Sequence, residues 1–175
     1  TKYSAGDGHD HSGHAHGASE DEIEHTLPLF IFNAQDATLH GFEAQAVWQM
    51  TDEFSWKVQG DIIRSRLKAG GELPRTPPAR ITNEFSYQGE YISANLFVSN
   101  YFEQDHTAEL ETPTDGYVMV DANVNYYFTL ANQDLALYIK GKNLTDEYAQ
   151  VHTSFLKELT PLAGRSVAVG VRGTF

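Results

Sequence analysis

Apolar and polar residues alternate with a period of two along most of the chain. Phe42, Ala44, Ala46, Trp48 and Met50 share one parity, and Glu43, Gln45 and Gln49 the other. After Thr51-Asp52-Glu53, which reads as a tight turn, Phe54, Trp56, Val58, Gly60 and Ile62 oppose Ser55, Lys57, Gln59 and Asp61. Residues 64–78, with Gly70-Gly71, Pro74, Pro77 and Pro78, read as a longer loop. A third strand from Ala79 to Tyr87 sets Ile81, Phe85 and Tyr87 against Arg80, Thr82, Glu84 and Ser86. Gln88-Gly89-Glu90 turns the chain into Ile92, Ala94, Leu96, Val98 and Phe102, opposite Ser93, Asn95 and Ser99. Beyond a loop at 103–115, Val118, Val120, Ala122, Val124, Tyr126 and Phe128 oppose Asp121, Asn123 and Asn125. A short connection at 131–134 leads to Leu135, Leu137 and Ile139, and a long loop at 144–163 leads to the last strand. There Val167, Val169, Val171 and Phe175 oppose Ala168, Gly170, Arg172 and Thr174.

Strict alternation is the mark of a strand with one apolar face. These strands run to about 10–13 residues, against about 5–6 in globular sheets, and short connections alternate with long ones. A soluble sandwich also alternates but has no reason for that loop asymmetry. A transmembrane barrel does, with tight periplasmic turns and long extracellular loops. Trp48, Phe54, Trp56, Tyr87, Tyr91, Tyr126, Tyr127, Phe128 and Phe175 gather near the short-turn side, as an interfacial aromatic girdle would. The expected fold class is therefore all-β, an antiparallel transmembrane β-barrel.

Parity also sets the topology. With the C-terminus on the periplasmic side, the strand ending at Met50 descends, so the chain before it is extracellular. Leu27–Asn33, short of the about 9–11 residues a spanning strand needs, reads as a protruding extension of that strand. The count is seven strands. An odd, open sheet leaves edges with unpaired backbone groups, which hydrocarbon does not tolerate. Residues 27–175 are thus expected to be a portion of a larger barrel, and residues 1–26 a separate, His-rich extracellular loop.

Composition narrows the chemistry. Lys+Arg 12 against Asp+Glu 24 leaves a net charge of -12, so phosphates would be repelled and a nucleic-acid partner is not expected. No cysteine means no disulfide and no thiolate ligand. No run of eighteen apolar residues offers a spanning helix. The mean hydropathy of -0.42 suits a barrel, in which only alternate strand residues are apolar. Thr1-Lys2-Tyr3 does not open a signal peptide, so the expectation is a removed leader or a chain that starts inside a longer protein.

The segment His9-Asp10-His11-Ser12-Gly13-His14-Ala15-His16 holds four imidazoles in eight residues. Neutral imidazole suits Zn, Cu and Ni, and carboxylate adds a ligand for Zn. His9, Asp10, His11, His14 and His16 are the candidate metal ligands; Asp7, His25 and His106 are weaker ones. His106 sits among Glu103, Asp105 and Glu109, His40 and His25 are candidates for a lumenal or loop site, and His152 lies in the last long loop. Taken singly, each of these reads as surface polarity, although their loops all face outward and so are placed to share a vestibule. No cofactor is required; Zn(II), Cu(II) or Ni(II) would be the bound substrate.

Four stretches occur in order: 33–43 (Asn-Ala-Gln-Asp-Ala-Thr-Leu-His-Gly-Phe-Glu), 73–80 (Leu-Pro-Arg-Thr-Pro-Pro-Ala-Arg), 141–148 (Gly-Lys-Asn-Leu-Thr-Asp-Glu-Tyr), and Pro161-Leu162-Ala163-Gly164-Arg165 leading to Phe175. Through them the chain resembles the TonB-dependent outer-membrane receptors, specifically the C-terminal part of their barrel. This resemblance implies a barrel of about twenty-two strands closed by a plug domain. It also implies a Gram-negative outer-membrane location in contact with lipid, and uptake driven by an inner-membrane energising complex through an N-terminal part absent from this sequence. Phe175 matches the terminal aromatic recognised by the barrel assembly machinery in this class. His-rich extracellular loops occur in the zinc-uptake members, and copper-handling members are similar. The expected function is uptake of a divalent metal, zinc foremost; the alternative is a receptor for a siderophore or other organic chelate, with the His tract incidental. An enzyme is not expected, since no Gly-x-Ser-x-Gly or other recognisable catalytic arrangement occurs.

Overall fold

A computed structural model describes residues 34–173. The His tract, Leu27–Asn33 and Phe175 lie outside the described residues. The described residues belong to one compact unit, Ala34–Phe175.

Seven strands follow in order: β1 (Ala37–Gln49), β2 (Phe54–Leu67), β3 (Arg80–Gln88), β4 (Ile92–Tyr101), β5 (Tyr117–Leu130), β6 (Gln133–Lys142) and β7 (Ser166–Gly173). They form a single antiparallel meander in sequence order, and the sheet is not closed: β1 pairs with β2 and β7 with β6. Each strand of the sequence pattern is present. β2 continues to Leu67, however, so the loop expected to begin at residue 64 begins after 67. The cause is pairing: Arg64, Ser65, Arg66 and Leu67 complete the ladder with His40, Leu39, Thr38 and Ala37.

Register carries the alternation across the whole sheet. On the polar face, Asp61 stands opposite Arg80 with an ion pair of 2.8 Å, and Lys57 opposite Glu84. Thr82–Ser99 and Asn95–Asn123 hydrogen bonds, each 3.1 Å, continue the row. Tyr127 joins it, with its hydroxyl 3.0 Å from Ser93 Oγ. That corrects its assignment to the lipid-side girdle: Tyr127 has the opposite parity to Tyr126 and Phe128, which stack with ring centroids 5.8 Å apart.

The apolar face is open. Val167, Val169 and Val171 are each more than 60% exposed, and Phe42 is 70% exposed. A row of this kind facing water would invite association, whereas in hydrocarbon it is at rest. On this face the Asn83 side-chain oxygen accepts from the Trp56 indole nitrogen at 3.1 Å. A conventional core between layers is missing among the described residues. The buried side chains concentrate instead in the long loops.

Candidate functional site

The long connections 68–79, 102–116 and 143–165 meet at one end of the sheet. The last is pinned at its root by Asn143. Its side-chain nitrogen donates to the carbonyls of Glu147 (2.9 Å) and Ala163 (3.1 Å), and its side-chain oxygen accepts from the Glu147 amide (2.8 Å). Asn143 is buried and takes a left-handed backbone, φ 49°, which Asn tolerates better than most residues. Asp121 of β5 holds the same corner, accepting from the Asn143 amide and from Lys142 Nζ, both at 2.8 Å. Asp146 Oδ1 accepts from the Arg165 amide at 2.8 Å, tying the far end of the loop to its start. Gly141 leaves room for the Leu144 side chain, which folds over the strand end and would have to shift to admit a Cβ there. The Gly-Lys-Asn-Leu-Thr-Asp stretch is thus a device for closing a long loop on itself.

A second group of buried polar residues ties the three loops together. Gln104 donates to the carbonyls of Thr76 (2.9 Å) and Pro77 (3.2 Å), while its backbone bridges to Thr114. Thr76 also meets Ser65 of β2, hydroxyl to hydroxyl. The Arg75 amide donates to Glu111 Oε1 at 2.9 Å, and its guanidinium donates to the Ser154 carbonyl and lies 3.9 Å over the Phe155 ring. Lys157 is buried with its ammonium satisfied by the Thr112 and Pro113 carbonyls and by Thr114 Oγ1 at 2.9 Å. Three carbonyl or hydroxyl acceptors offset the cost of burying that charge.

His152 completes the group. Its Nδ1 lies 2.8 Å from Thr114 Oγ1, and its Nε2 faces Glu111 Oε1 at 3.4 Å without making a hydrogen bond among the described residues. Since Lys157 already donates to Thr114, the Thr114 hydroxyl is free to donate to Nδ1, which leaves the proton of a neutral imidazole on Nε2. Burial lowers the His152 pKa; Glu111 opposes this, and Lys157 and Arg75 reinforce it.

Beneath the loops, against the polar face, lies a cavity of about 260 Å³. The Asp61–Arg80 pair and the Tyr101–Tyr117 stack, with centroids 4.5 Å apart, form its floor and wall, and residues 151–153 border it. With its guanidinium neutralised by Asp61, the cavity offers hydrogen bonding and aromatic contact rather than a cage for a bare cation.

The histidines expected from sequence separate accordingly. His152 is not surface polarity: it is buried and structural. His40 is exposed on the face of Phe42 and Trp48, opposite Arg64, so it is not lumenal. His106 is half exposed, and the carboxylates within ion-pair range are Asp105 (3.8 Å) and Glu72 (4.0 Å), not the expected Glu103 and Glu109. His106 and His152 share no ligand set: among the described residues no three His, Asp or Glu side chains gather to hold a metal. Sequence reasoning missed Glu111, Thr114 and Lys157, which carry no spacing signal; only Asn143 lay in a recognisable motif.

A two-faced antiparallel sheet of long strands, with its long loops knotted at one end, is the wall of a membrane-spanning β-barrel. Residues 4–144 match the family described as TonB dependent receptor-like, beta-barrel, and the chain belongs to that family. Its members are outer-membrane proteins, so this wall is an outer-membrane one and not an enzyme scaffold. Among solved structures, the chain is similar to the copper transporter OprC, with a TM-score of 0.70 and 19% sequence identity. The likeness covers 78% of this chain and 24% of that one, so this chain spans about a quarter of its length and forms part of a barrel of that type.

Proposed function

We propose that the chain is the C-terminal part of an outer-membrane receptor for a divalent transition metal, zinc foremost, captured outside the cell by the His tract. The observation that carries this reading is the set of four imidazoles at His9, His11, His14 and His16, with Asp10 between them. Neutral imidazole with a carboxylate is a donor set for Zn, Cu or Ni, and glycines at 6, 8, 13 and 17 let the backbone wrap an ion. Asp7 and His25 are weaker contributors. Membership of a receptor family supports transport, and a structural neighbour named as a copper transporter is in keeping with a metal substrate.

In this reading the long loops face outward. The knot of Glu111, Thr114, His152 and Lys157 holds them rigid and leaves capture to the tract. A plug domain and an inner-membrane energising complex act through the rest of the receptor, and insertion uses the barrel assembly machinery with Phe175 as its contact.

Calorimetry of a peptide covering residues 5–26 with Zn(II), Cu(II) and Ni(II) at pH 7.5 tests the reading. Binding tighter than about millimolar supports it. Its absence for all three metals overturns it and leaves an organic chelate as the substrate, with the tract incidental.

A further inference from the structure

On β1 and β2 the apolar row of the outward face stops short of the long loops, and the outward positions beyond it include two arginines and a histidine. Phe42 and Ile62 stand opposite each other in the register. The next outward pair toward the loops is His40 and Arg64, and the next is Thr38 and Arg66. Successive outward positions lie about 6.6–6.8 Å apart along a strand, so two guanidiniums and an imidazole form a patch directly above the hydrocarbon band. Among the described residues neither Arg64 nor Arg66 is in an ion pair, whereas the neighbouring Lys68 is neutralised by Asp36 at 3.1 Å. In a chain of net charge -12, two arginines on the lipid side with no ion pair among the described residues suit an anionic partner.

A second observation lies just below. A groove of about 240 Å³ is sunk into the outward face between Phe42, Ile62, Ile81 and Phe102. It exists because Gly60 and Ala44, paired in the register, leave a gap between these larger neighbours. An apolar slot capped by a basic patch matches an amphiphile: an acyl chain below and a phosphate above.

We propose that His40, Arg64 and Arg66, with the groove at Gly60, form a binding site for a phosphate-bearing lipid of the outer leaflet. Arginine suits this role because its planar fork takes phosphate oxygens bidentately while its stem lies along apolar surface. The site is separate from metal capture and rests only on the outward orientation of the long loops.

Native mass spectrometry of the complete receptor, extracted in mild detergent, tests this directly. The wild-type protein should retain a phosphorylated outer-leaflet lipid. Arg64→Gln/Arg66→Gln should retain it roughly thirtyfold more weakly, from removing two basic groups near a headgroup. Both side chains lie at the surface, and a heat-modifiability assay shows that the variant still folds. Retention unchanged in the folded variant overturns the proposal. So does displacement of the bound species by millimolar inorganic phosphate, which would mark a free-anion site, or retention of inner-leaflet phospholipid only. Zinc calorimetry on the same variant reports on the metal tract independently, so failure of one reading is distinguishable from failure of the other.

Discussion

His152 and Glu111 face each other across 3.4 Å, Nε2 to Oε1, with their side chains 0% and 8% exposed. The pair joins the loop after β6 to the loop after β4. Glu111 also accepts from the Arg75 amide, so one carboxylate connects all three long loops. The imidazole is neutral because burial opposes its charge more than Glu111 favours it.

Loop order should therefore depend on pH. With the His152 pKa below its ordinary value, opened loops bind a proton more readily than packed ones. The packing contribution is complete above about pH 6.5 and is lost as pH falls through the lowered pKa of the packed state. Hydrogen exchange across residues 143–165 should be pH-independent in its protection above about 6.5 and lose protection below it. His152→Gln should abolish that dependence. Equal acid sensitivity in wild type and variant would assign the effect to another group.

Metal capture by the tract should share the direction but not the cause. Imidazole must be neutral to ligate, so affinity for Zn(II) should fall below about pH 6.5 as protons compete. Titrating the residue 5–26 peptide at pH 7.5 and 5.5 separates the two effects, because the peptide lacks His152. Constant affinity across that range would place the ligands elsewhere.

Asn143→Ala removes three hydrogen bonds at the root of the last loop. Leaving buried backbone groups unpaired costs about 1–3 kcal/mol each in the worst case, so the loop should open locally while the sheet survives. Limited proteolysis should then cut within 147–163, with the strands intact. Protease resistance equal to wild type would mean that Asp121 and Asp146 suffice as anchors.

On the lipid face, Trp56→Phe leaves the Asn83 carbonyl oxygen without its donor. The cost should be about 1–2 kcal/mol in urea unfolding from vesicles. Adding Asn83→Leu should recover most of it, since the unmet polar group is then gone. A double variant no more stable than the single one would show that the indole contributes by packing alone.

The strands were legible in the sequence because each strand's faces see different solvents, and that difference is written into every second residue. Val167, Val169 and Val171 announce β7 without any knowledge of β6. The upper end of β2 was not legible: Arg64 and Arg66 look like loop residues until β1 pairs with them. Tyr127 was misplaced for a related reason. Three consecutive aromatics obscure the alternation that register restores.

The candidate site divides along the same line. The His tract, proposed to hold metal, is a local pattern, and sequence alone defines it. The loop knot is not local, since Arg75, Glu111, Thr114, His152 and Lys157 come from three connections spread over 83 positions, 75 to 157. By itself the sequence determined the two-faced strands, the alternation of turn and loop, and the His tract on which the metal proposal rests. Only the tertiary structure decided that His152 is buried with a lowered pKa, that Gln104 and Lys157 are interior, and that His40 shares the outward face with Arg64 and Arg66. The physical reason is that solvent exposure repeats along a strand and can be read from it. Hydrogen-bond partners between loops are chosen only once the sheet has brought their roots together.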